Sequence, residues 1–408
     1  MICGLLGGKL GHSYSPQIHS QLGSYEYRLF EKKPEELADF LKEGDFAGLN
    51  VTIPYKKDVI PFCASLSPVA QRLGAVNTIV RKPDGSLIGH NTDYYGFFSM
   101  VKRTGLTVSG KKALVLGSGG ASNTVCAVLE ELGAQVVVIS RSGENNYQNL
   151  HLHSDCALIV NTTPVGMYPQ VGVAPLELEG FDKLEGVLDV IYNPARTKLL
   201  LDAEKRGLVT ENGLWMLVAQ AKQASEWFTG SQIPESAIAD IHRKLRRQME
   251  NIVLIGMPGC GKSSIGKALA AELGKTFVDA DYEITQAAGC DIPTIFAAEG
   301  EAGFRRWETS VLAELGKRSG LVIATGGGCV TREENYPLLH QNGNMIWVRR
   351  DLEDLPVDGR PLSQQSKLVD MYAKRKPMYE AFADGAVNNN GTLGEAVSQC
   401  RKVWEDLV

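Results

Sequence analysis

Residues 251–263 read NIVLIGMPGCGKS, and this stretch decides how the second part of the chain folds. Asn251–Ile255 is an apolar, β-branched run of the kind that forms a buried strand. It opens into Gly256-Met257-Pro258-Gly259-Cys260-Gly261-Lys262-Ser263, which fits G-x4-G-K-[ST], and a helical pattern over Ile265–Leu273 follows. Strand, glycine turn and helix in that order predict a phosphate cradle. The glycines let backbone N–H groups turn inward around phosphate oxygens, and the helix N-terminus adds positive potential. Lys262 would reach the β- and γ-phosphates, and the Ser263 hydroxyl would ligate Mg2+, so the pattern predicts ATP and Mg2+ as the cofactors of this part. Immediately upstream, Ile238–Met249 (IADIHRKLRRQM) is a polar, basic helical run with no Gly or Pro. A new domain is therefore expected to begin near Glu250 and to span 250–408.

Working outward, strands alternate with helical stretches throughout, which predicts an α/β chain. Further strand candidates are Ala113–Leu116, Gln135–Ile139, Ala157–Val160, Gly186–Ile191, Leu321–Ala324 and Met345–Val348. The 408 residues, 44% hydrophobic and 22% charged, suit a folded chain of two to four domains and exclude a long disordered, collagenous or coiled-coil protein. A net charge of -5, balanced along the chain, implies no basic face for nucleic acid. The eight Cys stand singly with no CxxC, so neither zinc nor a disulfide framework is expected, and the seven His fall in no ligand spacing. No apolar run reaches a membrane-spanning length, and no charged leader with a long apolar core precedes the first strand, so the expected location is the cytoplasm.

Beyond the cradle, Asp279 and Asp281 lie in FVDADYEI at the end of another apolar run. Carboxylates at i and i+2 of a strand share a face. One could hold the metal's water shell while the other meets a hydroxyl that must lose its proton; alone, the pattern reads more often as a solvated strand end. Arg305 follows in GEAGFRRWE, Ala324-Thr325-Gly326-Gly327-Gly328 ends a strand in three glycines, and Gly359-Arg360-Pro361-Leu362 and Lys374-Arg375-Lys376-Pro377-Met378-Tyr379 add cations. The ordered set (G-x4-G-K-S, D-x-D, F-R-x-x-E, GGG, R-P-L, K-R-x-P-x-Y) resembles shikimate kinase. That resemblance implies that Asp281, Arg305, Gly327 and Arg375 hold shikimate, with Asp281 at the reacting 3-hydroxyl. A planar guanidinium suits the acid's carboxylate. Gly259, Cys260, Gly261, Lys262, Ser263 and Ser264 would cradle ATP, Asp279 and Ser263 would serve the metal, and Arg360 would neutralise charge on the transferred group from a lid. The chain departs from the family in a short segment between Trp347 and Arg360 with no second lid Arg. It departs again at Asn388–Asn390, where the family carries a late ATP-side Arg.

In the first part, Val115-Leu116-Gly117-Ser118-Gly119-Gly120-Ala121-Ser122 follows a strand, a helical stretch (Thr124–Leu132) comes next, and Gln135–Ile139 is the following strand. This βαβ unit with a glycine first turn predicts a dinucleotide-binding Rossmann arrangement. Its second strand ends in Ser140-Arg141-Ser142, a cation and two hydroxyls where an NAD site would carry an acid, which favours NADP. Earlier clusters are Ser13-Tyr14-Ser15-Pro16, whose hydroxyls would also serve as helix caps, then Asn50-Val51-Thr52-Ile53-Pro54-Tyr55-Lys56, Gly74-Ala75-Val76-Asn77-Thr78 and Asn91-Thr92-Asp93. A Lys–Asp pair facing a nicotinamide suits ketone reduction, the ammonium protonating the forming alkoxide and the carboxylate orienting it.

These clusters, with Asn161–Met167 and Asn212–Ala221, resemble shikimate dehydrogenase over nearly all of residues 1–238. The resemblance implies that Lys56 and Asp93 are the catalytic pair, and that Ser13, Ser15, Thr52, Asn77, Asp93 and Gln220 bind substrate hydroxyls and carboxylate. Tyr192 would line the cleft, with Val190 and Gly213 beside the nicotinamide and Gly117, Ser118, Gly119, Gly120, Ala121, Ser140, Arg141 and Ser142 on NADP(H). The stretch between Ser142 and Ala157 is short and polar where a full helix normally follows. A substrate-binding catalytic α/β lobe is expected over 1–94, rejoined by about 213–245, and an NADP-binding Rossmann lobe over 95–212. The two resemblances name consecutive steps on one molecule: NADPH-dependent reduction of 3-dehydroshikimate, then phosphorylation of shikimate by MgATP. A quinate-type or broader dehydrogenase with a related kinase, a scaffold with only the kinase live, and a shikimate-binding regulator without turnover are the alternatives.

Overall fold

The computed structural model describes residues 1–11, 13–355 and 365–408, and the side chains of all of these but 365–367. Contacts divide the chain into two units. One comprises Met1–Val165, Ala174–Tyr192 and Asp202–His242; the other comprises Gly166–Val173, Asn193–Leu201 and Arg243–Val408.

The first unit holds two sheets. The first is mixed, with strands β1 (Ile2–Gly7), β2 (Glu26–Glu31), β3 (Gly48–Val51), β4 (Ser65–Leu66), β5 (Thr78–Arg81) and β6 (Leu87–His90) in the order β2-β1-β3-β5-β6-β4. Only β1 and β3 alternate little and are buried almost throughout, as befits central strands, whereas β2 is a polar edge. Helices α1 (Ser15–His19), α2 (Leu37–Glu43) and α3 (Pro68–Leu73) connect these strands. Helix α4 (Asp93–Thr104) leads to the second sheet. That sheet is wholly parallel: β7 (Lys112–Leu116), β8 (Gln135–Ile139), β9 (Leu158–Asn161), β10 (Gly186–Asp189) and β11 (Val209–Glu211), ordered β11-β10-β9-β7-β8. Helix α5 (Gly120–Glu131) crosses from β7 to β8, but only a 3-10 turn (Leu150–His153) lies between β8 and β9, matching the short polar sequence there. Helix α6 (Lys198–Lys205) precedes β11, and α7 (Leu214–Thr229) returns against α4, so tightly that a Cβ on Gly96 would meet the carbonyl of Met216 at 2.7 Å.

Helix α8 (Ser236–Met249) runs from one unit into the other. The second unit is a five-stranded parallel sheet, β12 (Asn251–Ile255), β13 (Thr276–Asp279), β14 (Leu321–Ala324), β15 (Gly343–Arg349) and β16 (Gly385–Asn388), ordered β13-β14-β12-β15-β16. Helices α9 (Lys262–Leu273), α10 (Ala280–Ala288), α11 (Ile292–Lys317, interrupted at Gly300), α12 (Asn335–His340), α13 (Gln365–Phe382) and α14 (Leu393–Leu407) complete it. All five residues of β12 and all four of β14 are buried, which is why both read as unbroken apolar runs. Arg243–Met249 is built into this unit: Arg246 pairs with Glu250 at 2.6 Å and donates to the carbonyls of Leu407 and Val408, and Lys275 Nζ donates to those of Gln248 and Glu250. The segment Asn193–Leu201 is also part of it, through Ala195 N on Asn342 Oδ1 (2.9 Å) and the Arg196 guanidinium on the His340 carbonyl (3.1 Å) and Asn344 Oδ1 (3.2 Å).

Candidate active sites

In the first unit the turn after β3 carries Thr52 and Lys56. Thr52 N donates to Leu6 O and Tyr55 N to Thr52 O, so the chain folds back beside β1. Val76 N donates to the Lys56 carbonyl at 2.8 Å, which fixes the backbone from which the lysine side chain departs. Lys56 Nζ lies 2.5 Å from Asp93 Oδ2. Asp93 is the first residue of α4, so its carboxylate also sits at the positive end of that helix. Asn77 is the hub beneath the pair. Its buried Oδ1 accepts from Thr92 N (2.7 Å) and from Thr78 Oγ1 (3.1 Å), and so holds the residue just before Asp93. Gln220 of α7 meets Thr92 Oγ1 through Oε1 at 3.4 Å. Ser13 Oγ accepts from Ser15 N at 3.2 Å ahead of α1, where Ser15 is buried. The hydroxyls do not cap α1 in the usual way, since the cap position is Tyr14. Tyr14 and Tyr192 meet edge to face at 6.2 Å, and burial raises the pKa of both phenols.

The glycine turn after β7 fits a dinucleotide. Gly117 has φ 106°, and a Cβ there would meet Thr162 Oγ1 at 2.9 Å. At Gly119 and Gly120, by contrast, a Cβ would meet nothing within 4 Å, so the N-terminus of α5 faces open space that a pyrophosphate can occupy. Ser118 and Ala121 are exposed beside them. Ser122 is buried against Cys126, so the position usual for Gly or Ala is taken by a packed hydroxyl. Arg141 and Ser142 are exposed, and Ser140 N donates to Asn145 O, which folds the short loop back on the strand end. Gly213 packs directly on the Val190 carbonyl, where any side chain would overlap, and donates its N–H to Ile191 O.

In the second unit one cavity of ≈ 750 Å³ is lined by Gly259, Gly261, Lys262, Ser263, Ser264, Asp279, Asp281, Arg305, Glu308, Gly327 and Arg375, among others. Gly256, Gly259 and Gly261 have φ of 144°, 82° and 101°, conformations that favour glycine. Lys262 Nζ donates to the Gly256 (2.9 Å) and Met257 (3.0 Å) carbonyls and so stretches across the loop. Ser263 Oγ donates to Asp279 Oδ2 at 2.7 Å, an exposed oxygen pair of the hard type that Mg2+ prefers. Cys260 is fully buried beneath the loop, so only its backbone can serve the cradle.

The expectation that Asp279 and Asp281 share a strand face is corrected here. Asp279 ends β13 and Asp281 lies in the first turn of α10, because Asp279 Oδ1 accepts from Asp281 N and caps the helix. Both carboxylates still line the cavity. Arg375 donates to the Gly327 carbonyl at 3.1 Å, as does Tyr379 OH at 2.5 Å. A Cβ on Gly327 would strike Pro258 at 2.5 Å, one on Gly326 would meet Glu308 at 2.7 Å and Asp281 at 2.9 Å, and one on Gly328 would overlap Arg305. The three glycines are therefore needed by their neighbours. Arg360 lies outside the described residues.

Sequence reasoning gave Glu308 no role. It is fully buried and pairs with Arg305 at 2.5 Å, one turn back on α11. Burial pushes its carboxyl pKa up, against the lowering pull of Arg305. The i,i+3 spacing in F-R-x-x-E was the available signal.

A glycine turn on a parallel sheet beside a Lys–Asp pair defines a nucleotide-dependent oxidoreductase, and a P-loop opening on an Arg-lined cavity defines a small-molecule phosphotransferase. Residues 5–79 match the family model described as shikimate dehydrogenase substrate binding domain, and residues 258–405 match that described as shikimate kinase. A shikimate dehydrogenase (NADP(+)) of Clostridium perfringens (strain ATCC 13124) is 37% identical over 265 residues, which span 60% of this chain and 97% of that protein. Shikimate dehydrogenase 1 of Peptoclostridium difficile is similar in structure, with a TM-score of 0.55 and 35% identity over 60% of this chain and 97% of that one. The enzyme of Thermus thermophilus, solved with NADP(H) and shikimate, gives 0.55 and 32% over 60% and 99%. The chain belongs to the shikimate dehydrogenase family and is a bifunctional enzyme, with a shikimate kinase domain as its second part. Among the described residues no helix is long and apolar enough to cross a membrane.

Proposed function

We propose that this chain reduces 3-dehydroshikimate to shikimate with NADPH and then phosphorylates the new C3 hydroxyl with MgATP, in the cytoplasm and with small molecules as its partners. What supports the reading is a pair of constellations. One is the 2.5 Å contact of Lys56 with Asp93; the other is the convergence of Lys262, Asp281, Arg305 and Arg375 on a single cavity.

In the first site Lys56 gives a proton to the oxygen at C3, and Asp93 holds the ammonium aimed. Ser13, Ser15, Thr52, Asn77, Gln220 and Tyr192 bind the ring hydroxyls and carboxylate. Gly117, Ser118, Gly119, Gly120 and Ala121 seat the pyrophosphate, Ser140, Arg141 and Ser142 the 2'-phosphate, and Val190 and Gly213 border the nicotinamide. In the second site Arg305 and Arg375 grip the carboxylate, Gly327 shapes the floor, and Asp281 accepts the proton of the 3-hydroxyl. The backbone of Gly259, Cys260 and Gly261, with Lys262, Ser263 and Ser264, cradles the phosphates. Ser263 and Asp279 would hold Mg2+, with Arg360 as a further cation. When bound, NADPH supplies the hydride and MgATP the phosphoryl group.

The test is a single incubation of purified chain with 3-dehydroshikimate, NADPH and MgATP, quantifying intermediate and product. Shikimate should rise and then yield to its 3-phosphate. Accumulation of shikimate alone would remove the kinase half of the proposal, and preferential turnover of quinate would redirect the first half.

A further inference from the structure

We propose that Asn389 is a positioning residue for the nucleotide phosphates, acting by holding the Cys260 carbonyl away from them. The inference rests on the kinase reading above and assigns a role to a residue that none of the sequence motifs includes.

A loop that seats a polyanion must present N–H groups to it and turn its carbonyl oxygens elsewhere. In this turn three carbonyls have side-chain donors. Gly256 O and Met257 O are taken by Lys262 Nζ at 2.9 and 3.0 Å. Cys260 O is taken by Asn389 Nδ2 at 2.7 Å, in a buried contact. The peptide unit is planar and trans, so fixing the Cys260 carbonyl on one side sends the Gly261 N–H to the other. Gly261 is the residue that opens α9, with φ 101°, and the Asn389 amide lies so close above it that a Cβ there would overlap. The donor and the glycine are thus fitted to each other.

Asn389 is itself held firmly. It is buried, and its N–H donates to Arg349 O at the end of β15, the strand beside β12. Its two neighbours fasten the same turn: Asn388 Oδ1 accepts from Asn390 N, and Asn390 Oδ1 accepts from Asp351 N, each at 2.9 Å. Asn388 N donates to Gln399 Oε1 of α14 at 3.2 Å. The three asparagines therefore supply a braced backbone beside the glycine turn.

The experiment uses the full chain and its Asn389→Ala and Asn389→Asp variants. ADP is titrated calorimetrically, and shikimate is followed only through the kinase reaction, where KM is measured for it and for ATP, because the first unit would also take up shikimate in a titration of the full chain. Asp has nearly the shape of Asn but offers the carbonyl no donor. Both variants should weaken ADP binding and raise KM for ATP about tenfold, the scale of one lost buried hydrogen bond, while the kinase KM for shikimate stays within about twofold. Unchanged ADP affinity in variants whose kinase KM for shikimate is also unchanged would overturn the role of Asn389. An equal rise in the kinase KM for ATP and for shikimate would also overturn it, as the mark of a residue that only holds the fold. An unsubstituted, folded chain that bound no ADP would instead overturn the nucleotide reading beneath it.

Discussion

The two sites differ in how deeply they bury their charged pairs. In the first unit the Lys56 and Asp93 side chains keep 33% and 19% of their surface exposed and stand on a bed of neutral groups, Asn77, Thr78, Thr92 and Gln220. In the second, Arg305 and Glu308 are 10% and 0% exposed, with the Asp281 carboxylate nearby. The glycine turns differ in the same sense: Gly119 and Gly120 face open space, whereas the second turn has each named carbonyl engaged by Lys262 or Asn389. A reduction site must leave its proton donor free to move a proton. A phosphoryl-transfer site does little covalent work and depends on fixed charge.

The largest effect should come from removing each site's working amine. Lys56→Ala should lower reduction by about 10²–10⁴-fold while kinase turnover stays near that of the parent, and Lys262→Ala should do the reverse. Separate steady-state assays of both activities on each purified variant decide this. One substitution silencing both activities in a folded chain would end the comparison, because the sites would then not be separate.

Next comes the buried pair. Glu308→Ala leaves the buried Arg305 guanidinium with only the exposed Glu301 carboxylate at 3.6 Å, and losing the buried partner of such a pair costs up to about 3–5 kcal/mol. Denaturation monitored by kinase activity should show an early midpoint, while reduction keeps its own. Glu308→Gln, which preserves shape, should restore most of the midpoint yet still raise KM for shikimate, because Arg305 loses the charge that orients it. A kinase midpoint unmoved in Glu308→Ala would show that the second site does not depend on buried charge.

Much of this was legible in the sequence, and unevenly so for physical reasons. Strands buried on both faces announce themselves: Asn251–Ile255 and Leu321–Ala324 have the same bounds in sequence and structure, as does the less buried Gln135–Ile139. The mixed sheet was quieter. β2 is a polar edge, β4 has two residues, and β3 has four. At Asp279 a side chain accepts from the next turn's backbone and ends the strand, a local hydrogen bond that outweighs the alternation rule. Asn389, which acts on backbone, carries no motif of its own, and F-R-x-x-E names Glu308 without telling what it does. Their chemistry is set by partners many residues distant or by the absence of water.

The smallest effect at neutral pH is also the one that separates the units by acid. His19 and His90 belong to the first unit, and burial pushes their pKa values down to about 3 and about 4 from an ordinary 6.5. His19 stacks on Tyr27 at 4.0 Å, and its Nδ1 lies 2.6 Å from Tyr25 OH, which in turn donates to Ser225 of α7. That chain ties α1 to the helix carrying Gln220. Above pH 6.5 both imidazoles are neutral whether the chain is folded or not, so they give stability no pH dependence. Below 6.5 the unfolded chain takes up protons that the folded chain refuses. Stability is therefore lost as pH falls from 6.5 toward 4 for His90 and toward 3 for His19, at about 1.4 kcal/mol per pH unit for each group. Denaturant midpoints followed by reduction at pH 7.5, 6 and 5 should fall in the parent chain, and His19→Gln should flatten that decline by roughly half. An equally steep decline in the variant would mean that the aromatic cluster around His19 does not set the acid sensitivity of the first site.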